Sequence, residues 1–159
     1  MIILGIDPGS RYCGYGLLEV QGSRIIGAGC DVISLIKEKD LLTRLDMLYS
    51  AIEGVMDEYK PDVVAVESMF FQKHIRSIFT LGHARGVILL SIARHKVPML
   101  EYSPREVKKA VVGNGNASKQ QVRLMISRML KLKAANITDD AYDALGIALC
   151  HWHRIRFNP

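Results

Sequence analysis

Four acidic residues occupy positions from which their carboxylates could act together in a metal site. Asp7 follows an apolar run at the start of the chain, and Glu67 ends a second apolar run. Near the other end, Asp140 and Asp143 are three residues apart, which places both on one face of a helix, roughly 5–6 Å apart at Cβ. Carboxylates gathered without counter-charge repel one another, and a hard divalent cation with oxygen ligands removes that conflict.

Such a cluster is suited to the hydrolysis of phosphodiester bonds. Mg²⁺ keeps several of its waters, so one or two carboxylates for each ion suffice. Two ions roughly 3.5–4 Å apart can activate a water and stabilise the leaving oxygen. We therefore predict that Asp7, Glu67, Asp140 and Asp143 are catalytic metal ligands, with Asp7 placed to bridge two ions.

Each acid taken singly has a structural alternative. Asp7 precedes a Pro-Gly dipeptide and could serve only in a turn. Asp139 and Asp140 could complement the positive end of a helix dipole. Helical phase separates these two neighbours, because Asp140 shares a face with Asp143 and Asp139 does not. We interpret Asp139 as a solvated residue that pairs with the dipole.

The first part of the chain predicts three strands in succession. Met1 to Ile6 is a short apolar run that leads into turn residues. Cys13 to Val20 and Arg24 to Ile33 then read as strands, with Gly22-Ser23 as the hairpin between them. Three strands without an intervening helix indicate an antiparallel meander.

Helices and strands alternate after residue 40. Apolar residues at helical spacing predict a helix from Asp40 to Tyr59, which Pro61 ends. Asp62 to Glu67 has the pattern of a buried parallel strand. The remaining predicted elements are a helix from Ile75 to Arg94, a strand from Val97 to Tyr102, a helix capped by Ser103, a helix capped by Ser118, and a last helix from about Asp139 to Ile155.

This order, β-β-β-α-β-α-β-α-α-α, predicts an α/β protein with a mixed five-stranded sheet and helices on both faces. The RNase H-like fold has the same order, and residues 1–159 fit one such nuclease domain. The reactive crevice of an open α/β sheet lies outside the carboxyl ends of its strands. Asp7 and Glu67 would share that crevice if their strands are neighbours, and small residues at Ala141, Ala144 and Ala148 would let the last helix lie close to the sheet.

Composition favours a globular protein with a polyanionic partner. Hydrophobic residues make up 49% and charged residues 23% of the 159, and the net charge is +5. The longest apolar stretch, Gly86 to Ala93, is too short to span a bilayer, and Met1 to Asp7 has no basic leader. We therefore expect a cytoplasmic protein without membrane contact.

The cysteines do not predict a disulfide framework or a zinc site. Cys13, Cys30 and Cys150 are odd in number and widely spaced. Cys150 is followed by His151 and His153, but on a helix these side chains point in different directions and no second ligand pair exists elsewhere.

A series of motifs resembles the RuvC family of bacterial Holliday junction resolvases, in order and over nearly the whole chain. The motifs are Gly5 to Gly9 with Gly14-Tyr15-Gly16, Val66-Glu67 with Phe70-Phe71, Leu81 to Val87, Tyr102 to Lys108, Val111 to Gly115 with Ala117 to Val122, and Asp140 to Leu145 with Cys150-His151. This chain has Gly146 where the family usually has alanine, a difference that concerns helix packing and no metal ligand.

The resemblance implies a structure-specific endodeoxyribonuclease that resolves four-way DNA junctions in recombination and repair. It implies the same four acids as ligands of Mg²⁺, with Mn²⁺ as a substitute. It also implies a symmetric homodimer that makes paired nicks, and the branch-migration motor complex of RuvA and RuvB as a partner. Two-metal hydrolysis would leave 5′-phosphate and 3′-hydroxyl ends.

Basic and aromatic residues near the acids are candidates for DNA contact. Lys108 and Lys119 flank a Gly-rich loop that leads into a capped helix, whose free N–H groups suit a phosphate. The resemblance implies DNA contact for both, the alternative being solvated lysines. It also points to Phe70, which could stack on an unpaired base or belong to the core. His151, roughly three turns after Asp140, either reaches the crevice or is buried and hydrogen-bonded.

Three other functions are compatible with parts of the sequence pattern. An actin-like or sugar-kinase ATPase also has an Asp-x-Gly turn, but it needs a second domain that 159 residues cannot supply. A ribonuclease of the same superfold would need a groove that reads the 2′-hydroxyl. A non-catalytic DNA-binding module would not need four intact acids. Periodicity does not identify a dimer surface, and our guess for it is the apolar helix from Ile75 to Arg94.

Overall fold

A computed structural model of the chain describes residues 1–68, 75–132 and 137–157, with the side chains of residues 75, 76 and 157 excepted. Its elements, in chain order, are β1 (Ile2–Asp7), β2 (Tyr12–Gln21), β3 (Arg24–Ser34), α1 (Leu41–Tyr59), β4 (Val63–Glu67), α2 (Ile75–His95), β5 (Met99–Tyr102), α3 (Pro104–Val112), α4 (Lys119–Leu130) and α5 (Asp139–Phe157). Within these ranges, none of the helices combines the length and the hydrophobicity needed to cross a bilayer.

The sheet is mixed and has the strand order β3-β2-β1-β4-β5. β1 to β3 form the predicted antiparallel meander, and β4 and β5 add to it in parallel with β1. Ile6 of β1 is paired with Val66 of β4. The two strands are therefore direct neighbours, and Asp7 and Glu67 stand at the same edge of the sheet.

Helices cover both faces of the sheet, as predicted. Successive residues of a strand point to opposite faces, and β1 shows the division clearly. Leu4 packs in the apolar cluster that contains Ile52 of α1 and Ile88 of α2. Ile3 packs in the other cluster, with Leu145 of α5. α1 and α2 thus form one layer, and α3, α4 and α5 form the other.

Local side-chain chemistry sets the helix ends. Asp40 caps α1 by accepting a hydrogen bond of 2.8 Å from the Thr43 backbone N–H, so the helix proper begins one residue later than predicted. Ser103 and Ser118 cap α3 and α4 as predicted, and each forms a capping box with the side chain three residues later. Lys96 ends α2 with a φ of 55°.

The C-terminal end of α2 includes the residues that were predicted to begin β5. The Lys96 N–H donates to the Ala93 carbonyl at 3.1 Å, and the Val97 N–H donates to the Ile92 carbonyl at 3.4 Å. Residues 96 and 97 therefore belong to the helix terminus, and β5 starts at Met99, two residues later than the sequence pattern predicted.

Candidate active site at the carboxyl ends of β1 and β4

The four acids line one cavity of about 340 Å³ at the carboxyl edge of the sheet. Asp7 ends β1, Glu67 ends β4, and Asp140 and Asp143 lie on the first turns of α5. Lys108 of α3 and Lys119 of α4 complete the polar lining of this cavity. The structure thus brings together six of the seven residues that the sequence put forward. The seventh, Phe70, lies outside the described residues.

Glycines on the strands allow α5 to lie against the sheet without intervening side chains. A Cβ at Gly14 would stand 2.0 Å from the Asp140 carbonyl oxygen, and one at Gly5 would stand 2.1 Å from the Ala144 carbonyl oxygen. No side chain fits in such a space, so the helix backbone contacts the strand backbone. Gly14 is the partner of Asp7 in the β1–β2 register. This approach therefore places Asp140 beside Asp7.

Small residues on the helix side contribute as predicted, and Ala144 and Ala148 are fully buried. The departure at Gly146 has a packing reason, because a Cβ there would meet side-chain atoms of Val107 at 3.1 Å and Ile126 at 3.4 Å. Glycine at this position lets α3 and α4 pack closely against α5. Val107 of α3 and Gly146 of α5 both line the cavity.

The electrostatics of the site are those of carboxylates held together out of water. Burial raises the pKa of Asp7 to about 9, with further increases from the charge of Glu67, from a hydrogen bond to Glu67, and from the charges of Asp143 and Asp140. Burial also raises the pKa of Glu67, whereas its hydrogen bond to Asp7 opposes that rise. Asp7 therefore holds a proton at neutral pH when no cation compensates the cluster.

Lys119 supplies a positive charge at the mouth of the cavity. Its Nζ donates to Asp143 Oδ2 at 3.1 Å, and the Lys119 side chain is 66% exposed. Such an exposed ion pair contributes little to stability, so it separates at little cost. The Lys119 ammonium can therefore leave Asp143 at little cost.

Asp139 does not belong to the cavity, in agreement with the helical phase. It forms an ion pair with Arg123 of α4, and its side chain is 59% exposed. The Arg123 guanidinium lies 5.8 Å from the centre of the Tyr142 ring. The Tyr142 hydroxyl is hydrogen-bonded to Ser127 Oγ at 2.9 Å. These contacts fasten the start of α5 to α4.

His151 is a buried, hydrogen-bonded residue and not part of the cavity lining. Its Nδ1 is 2.8 Å from the hydroxyl of Tyr102, and both side chains are buried. Burial, and then the charge of Arg154, lower the pKa of His151. The second of the two alternatives is thus confirmed, and the pair joins α5 to β5.

Sequence reasoning missed one residue that supports the site. Arg85 of α2 is 7% exposed, and its Nη1 donates a hydrogen bond of 2.7 Å to the backbone carbonyl of Glu67. Its Nη2 forms an ion pair with Glu101 of β5. The sequence contains an indication of this burial, because Arg85 lies at helical spacing from Ile88 and Ile92 and therefore on the same buried helix face.

The donor chemistry of the cavity fits a hard divalent cation. All four acids offer oxygen ligands, and burial with mutual repulsion leaves Asp7 protonated until a positive charge arrives. As the side chains stand, no three His, Cys, Asp or Glu residues of the described ranges are close enough to hold a metal ion. That finding includes the four acids of the cavity, so it is the oxygen chemistry of the donors, and not their present spacing, that fits the cation.

Comparison with known proteins gives one consistent result. Residues 3–151 match the family described as "Crossover junction endodeoxyribonuclease RuvC". The RuvC protein of Pseudothermotoga lettingae is 42% identical, over 95% of this chain and 93% of its own length. The RuvC protein of Heliobacterium modesticaldum is 43% identical, over 98% and 96%. The structure of T. thermophilus RuvC in complex with a Holliday junction substrate superposes with a TM-score of 0.86 at 29% identity, covering 99% of this chain and 97% of that one.

Proposed function

The chain belongs to the RuvC family of crossover junction endodeoxyribonucleases, and on that premise we propose how its own residues resolve a four-way DNA junction. The family activity, hydrolytic resolution of Holliday junctions in recombination and repair, is the activity of this chain. The observation that carries the assignment of residues is the single cavity at the ends of β1 and β4. It holds four carboxylates, with two lysines beside them.

Asp7, Glu67, Asp140 and Asp143 would hold two Mg²⁺ ions, with Mn²⁺ as a substitute. Bound ions of this kind supply an activated water and stabilise the leaving 3′ oxygen, which gives 5′-phosphate and 3′-hydroxyl ends. Support comes from the all-oxygen donor set and from the raised pKa of Asp7, a group whose ionised form needs a compensating charge.

The contribution of the protein itself is the placement of these groups. Asp7 and Glu67 stand on neighbouring strands of a hydrogen-bonded sheet, and Arg85 holds the backbone of Glu67. Lys108 and Lys119 would bind the phosphates of the strand to be cut. Lys119 would exchange Asp143 for a phosphate oxygen when DNA enters, because its ion pair with Asp143 is exposed.

We propose that the working form is a two-fold symmetric homodimer. A four-way junction needs two cuts in strands of like polarity, and each chain offers one set of four acids in this cavity. Two copies around a two-fold axis present two sites to a two-fold substrate. The branch-migration motor complex of RuvA and RuvB is the proposed partner at the junction.

One face of α2 supports a dimer surface on that helix. Phe79 is 65% exposed and Leu90 is 56% exposed. His83 and Gly86 are also exposed and lie between them on the same face of the helix. We call these four residues the α2 strip. Phe79 and Leu90 are the large apolar side chains of this strip, and their exposure on one helix face supports an interaction site there, in keeping with the guess made from the sequence.

A substrate panel tests the proposed function. The protein is incubated with Mg²⁺ and a labelled synthetic four-way junction, beside linear duplex, an RNA–DNA hybrid and ATP. Paired cleavage of the junction alone is expected, and a chelator should abolish it. Preferred cleavage of the hybrid would indicate a ribonuclease, and turnover of ATP would indicate an ATPase.

Substitution of the four acids tests their role as metal ligands, and Asp139 on α5 offers a matched control. Asp7→Asn and Asp140→Asn should each abolish cleavage but spare folding and junction binding, because each removes a ligand and little volume. Asp139→Asn makes the same chemical change at a residue that pairs with Arg123 outside the cavity, and it should cleave normally. Near-normal cutting by Asp7→Asn would show that the assignment is wrong.

A further inference from the structure

A second cavity, of about 560 Å³, opens beside the loop that follows Asp7. We call it the Arg11–Arg44 cavity. Its lining is rich in guanidinium and hydroxyl groups and consists of Pro8, Gly9, Ser10, Arg11, Arg44, Ser77, Thr80 and Leu81. None of these residues belongs to the lining of the active-site cavity.

The two cavities are lined by elements from opposite faces of the sheet, and each includes a residue at the end of β1. The active-site cavity takes its other residues from β4 and from α3, α4 and α5. The Arg11–Arg44 cavity takes its other residues from α1 and α2, which pack on the opposite face. Asp7 lines the first cavity and Pro8 lines the second, so the chain itself passes from one to the other.

The second cavity has two arginines in its lining and no acidic residue. In the described part of the chain, neither Arg11 nor Arg44 has a carboxylate within ion-pair distance. The carboxylate of Asp40 caps α1 through the Thr43 N–H and hydroxyl, both at 2.8 Å. These hydrogen bonds, and to a lesser degree the charge of Arg44, lower the pKa of Asp40. Two guanidinium groups that form no ion pair within the described residues favour an anion with several oxygens.

Arg44 is held at the wall of this cavity with hydrogen-bonding capacity to spare. Its Nη2 donates to the Lys39 carbonyl at 3.1 Å, and its Nη1 lies 3.5 Å from the Ser10 carbonyl. Its buried Nε has no acceptor among the described residues. These contacts with backbone carbonyls hold the guanidinium in place without an ion pair to a carboxylate of the described residues.

We propose that the Arg11–Arg44 cavity binds a non-scissile phosphodiester group of the DNA strand whose scissile phosphate occupies the active-site cavity. The inference rests on the proposed function, since it concerns the same substrate. A strand bound at the end of β1 must continue on both sides of Asp7. Lys108 and Lys119 receive it on one face of the sheet, and Arg11 and Arg44 receive it on the other. Phosphate contacts on both sides would set the position of the strand over the carboxylates.

Binding measurements test the contribution of the arginines. Junction affinity is measured over a range of salt concentrations with Asp7→Asn protein, which should bind without cutting. Adding Arg11→Ala, at an exposed residue, should weaken binding roughly tenfold and lower the salt slope by about one. Arg44 contacts backbone carbonyls, so Arg44→Lys, which keeps the charge, accompanies Arg44→Ala as a check on folding. Arg24→Ala is the matched control, because Arg24 is exposed and pairs with Gln21 at the opposite edge of the sheet.

DNA with single uncharged backbone positions identifies the phosphate that the Arg11–Arg44 cavity binds. Single phosphates on either side of the cleavage point are replaced by methylphosphonate, one at a time. Unsubstituted protein should lose affinity at one or two positions on one side, and Arg11→Ala should show no further loss there, the non-additivity expected of groups in contact. Equal behaviour of Arg11→Ala and Arg24→Ala would overturn the inference and leave the proposed function intact. Failure of the unsubstituted protein to bind or cut the junction would overturn both.

Discussion

The guanidinium of Arg85 donates a hydrogen bond of 2.7 Å to the carbonyl oxygen of Glu67, across the contact between α2 and the end of β4. The same guanidinium pairs with Glu101 on β5. One buried side chain thus ties together the two strands at the edge where the carboxylates gather. Because the bond is made to the backbone of Glu67, it positions that residue and leaves its carboxylate available.

Replacing Arg85 should therefore impair the reaction more than the binding of DNA. Arg85→Lys keeps the charge but loses the two-pronged contact, and we expect a drop in stability of about 1–3 kcal/mol. The single-turnover cleavage rate should fall by roughly 100-fold because Glu67 is misplaced, while junction affinity stays nearly unchanged. Glu101→Gln, which retains the bond to Glu67, is the control. If it slows cleavage as much as Arg85→Lys does, the bond to Glu67 is not what matters.

The close approach at Gly14 predicts a strong effect of the smallest side chain. Gly14→Ala places a Cβ against the Asp140 carbonyl, so α5 must move away from the sheet. We expect a loss of stability of about 1–3 kcal/mol and a large loss of cleavage. Gly29→Ala is a matched substitution on β3, where a Cβ meets nothing within 4 Å. Denaturant unfolding and cleavage assays of both variants measure these losses. Equal losses of stability and of cleavage in Gly14→Ala and Gly29→Ala would contradict the packing argument.

The two lysines at the cavity should account for part of the salt dependence of junction binding. Each phosphate contact adds about one to the slope of log affinity against log salt. Lys108→Ala with Lys119→Ala should thus lower the slope by about two. Lys109→Ala serves as the control, since Lys109 is exposed and does not line the cavity. An unchanged slope in the double variant would rule out phosphate contact by this pair.

The raised pKa of Asp7 predicts how the metal-free protein responds to pH. The folded chain keeps the Asp7 proton up to a pKa of about 9, whereas a carboxyl with the ordinary value of 3.8 releases it in the unfolded chain. Between these values the unfolded chain binds fewer protons, so stability falls as pH rises. The fall should be smaller in Asp7→Asn, where only the raised pKa of Glu67 still contributes at this site, and that variant should be the more stable protein at neutral pH in the presence of a chelator.

Thermal unfolding from pH 5 to pH 9 measures this difference, with a shift of roughly 2–4 °C for each kcal/mol. Mg²⁺ should restore the stability of the unsubstituted protein by mass action and should act far less on Asp7→Asn. A pH profile that is the same for both proteins in chelator would contradict the assignment of the raised pKa to Asp7.

Symmetric cutting can be tested with mixed subunits. Unsubstituted chains are mixed with Asp7→Asn chains and added to a supercoiled plasmid that extrudes a junction. Mixed dimers should nick one strand and leave the plasmid circular, whereas unsubstituted dimers should linearise it. Sedimentation as a monomer at working concentration, with full resolution activity, would overturn the dimer proposal.

Much of the fold could be predicted from the sequence, because the signals that define its elements are local. Period-two and period-3.6 patterns, the Ser103 and Ser118 capping boxes and the Gly22-Ser23 hairpin all act within a few residues. The same is true of the helical phase that separated Asp140 from Asp139. The boundary of β5 was wrong by two residues, because a helix terminus at Lys96 competes for the residues before Met99.

Only the tertiary structure decided the relationships between segments that are distant in the sequence. The pairing of β1 with β4 puts Asp7 and Glu67 at one edge, and the contact at Gly14 brings Asp140 to them. Burial among these groups raises the pKa of Asp7, and a guanidinium from α2 reaches the backbone of Glu67. A sequence pattern indicates which residues favour burial or exposure. Strand pairing, close backbone approach and desolvation depend instead on which surfaces come into contact. Those contacts form only when the whole chain has folded.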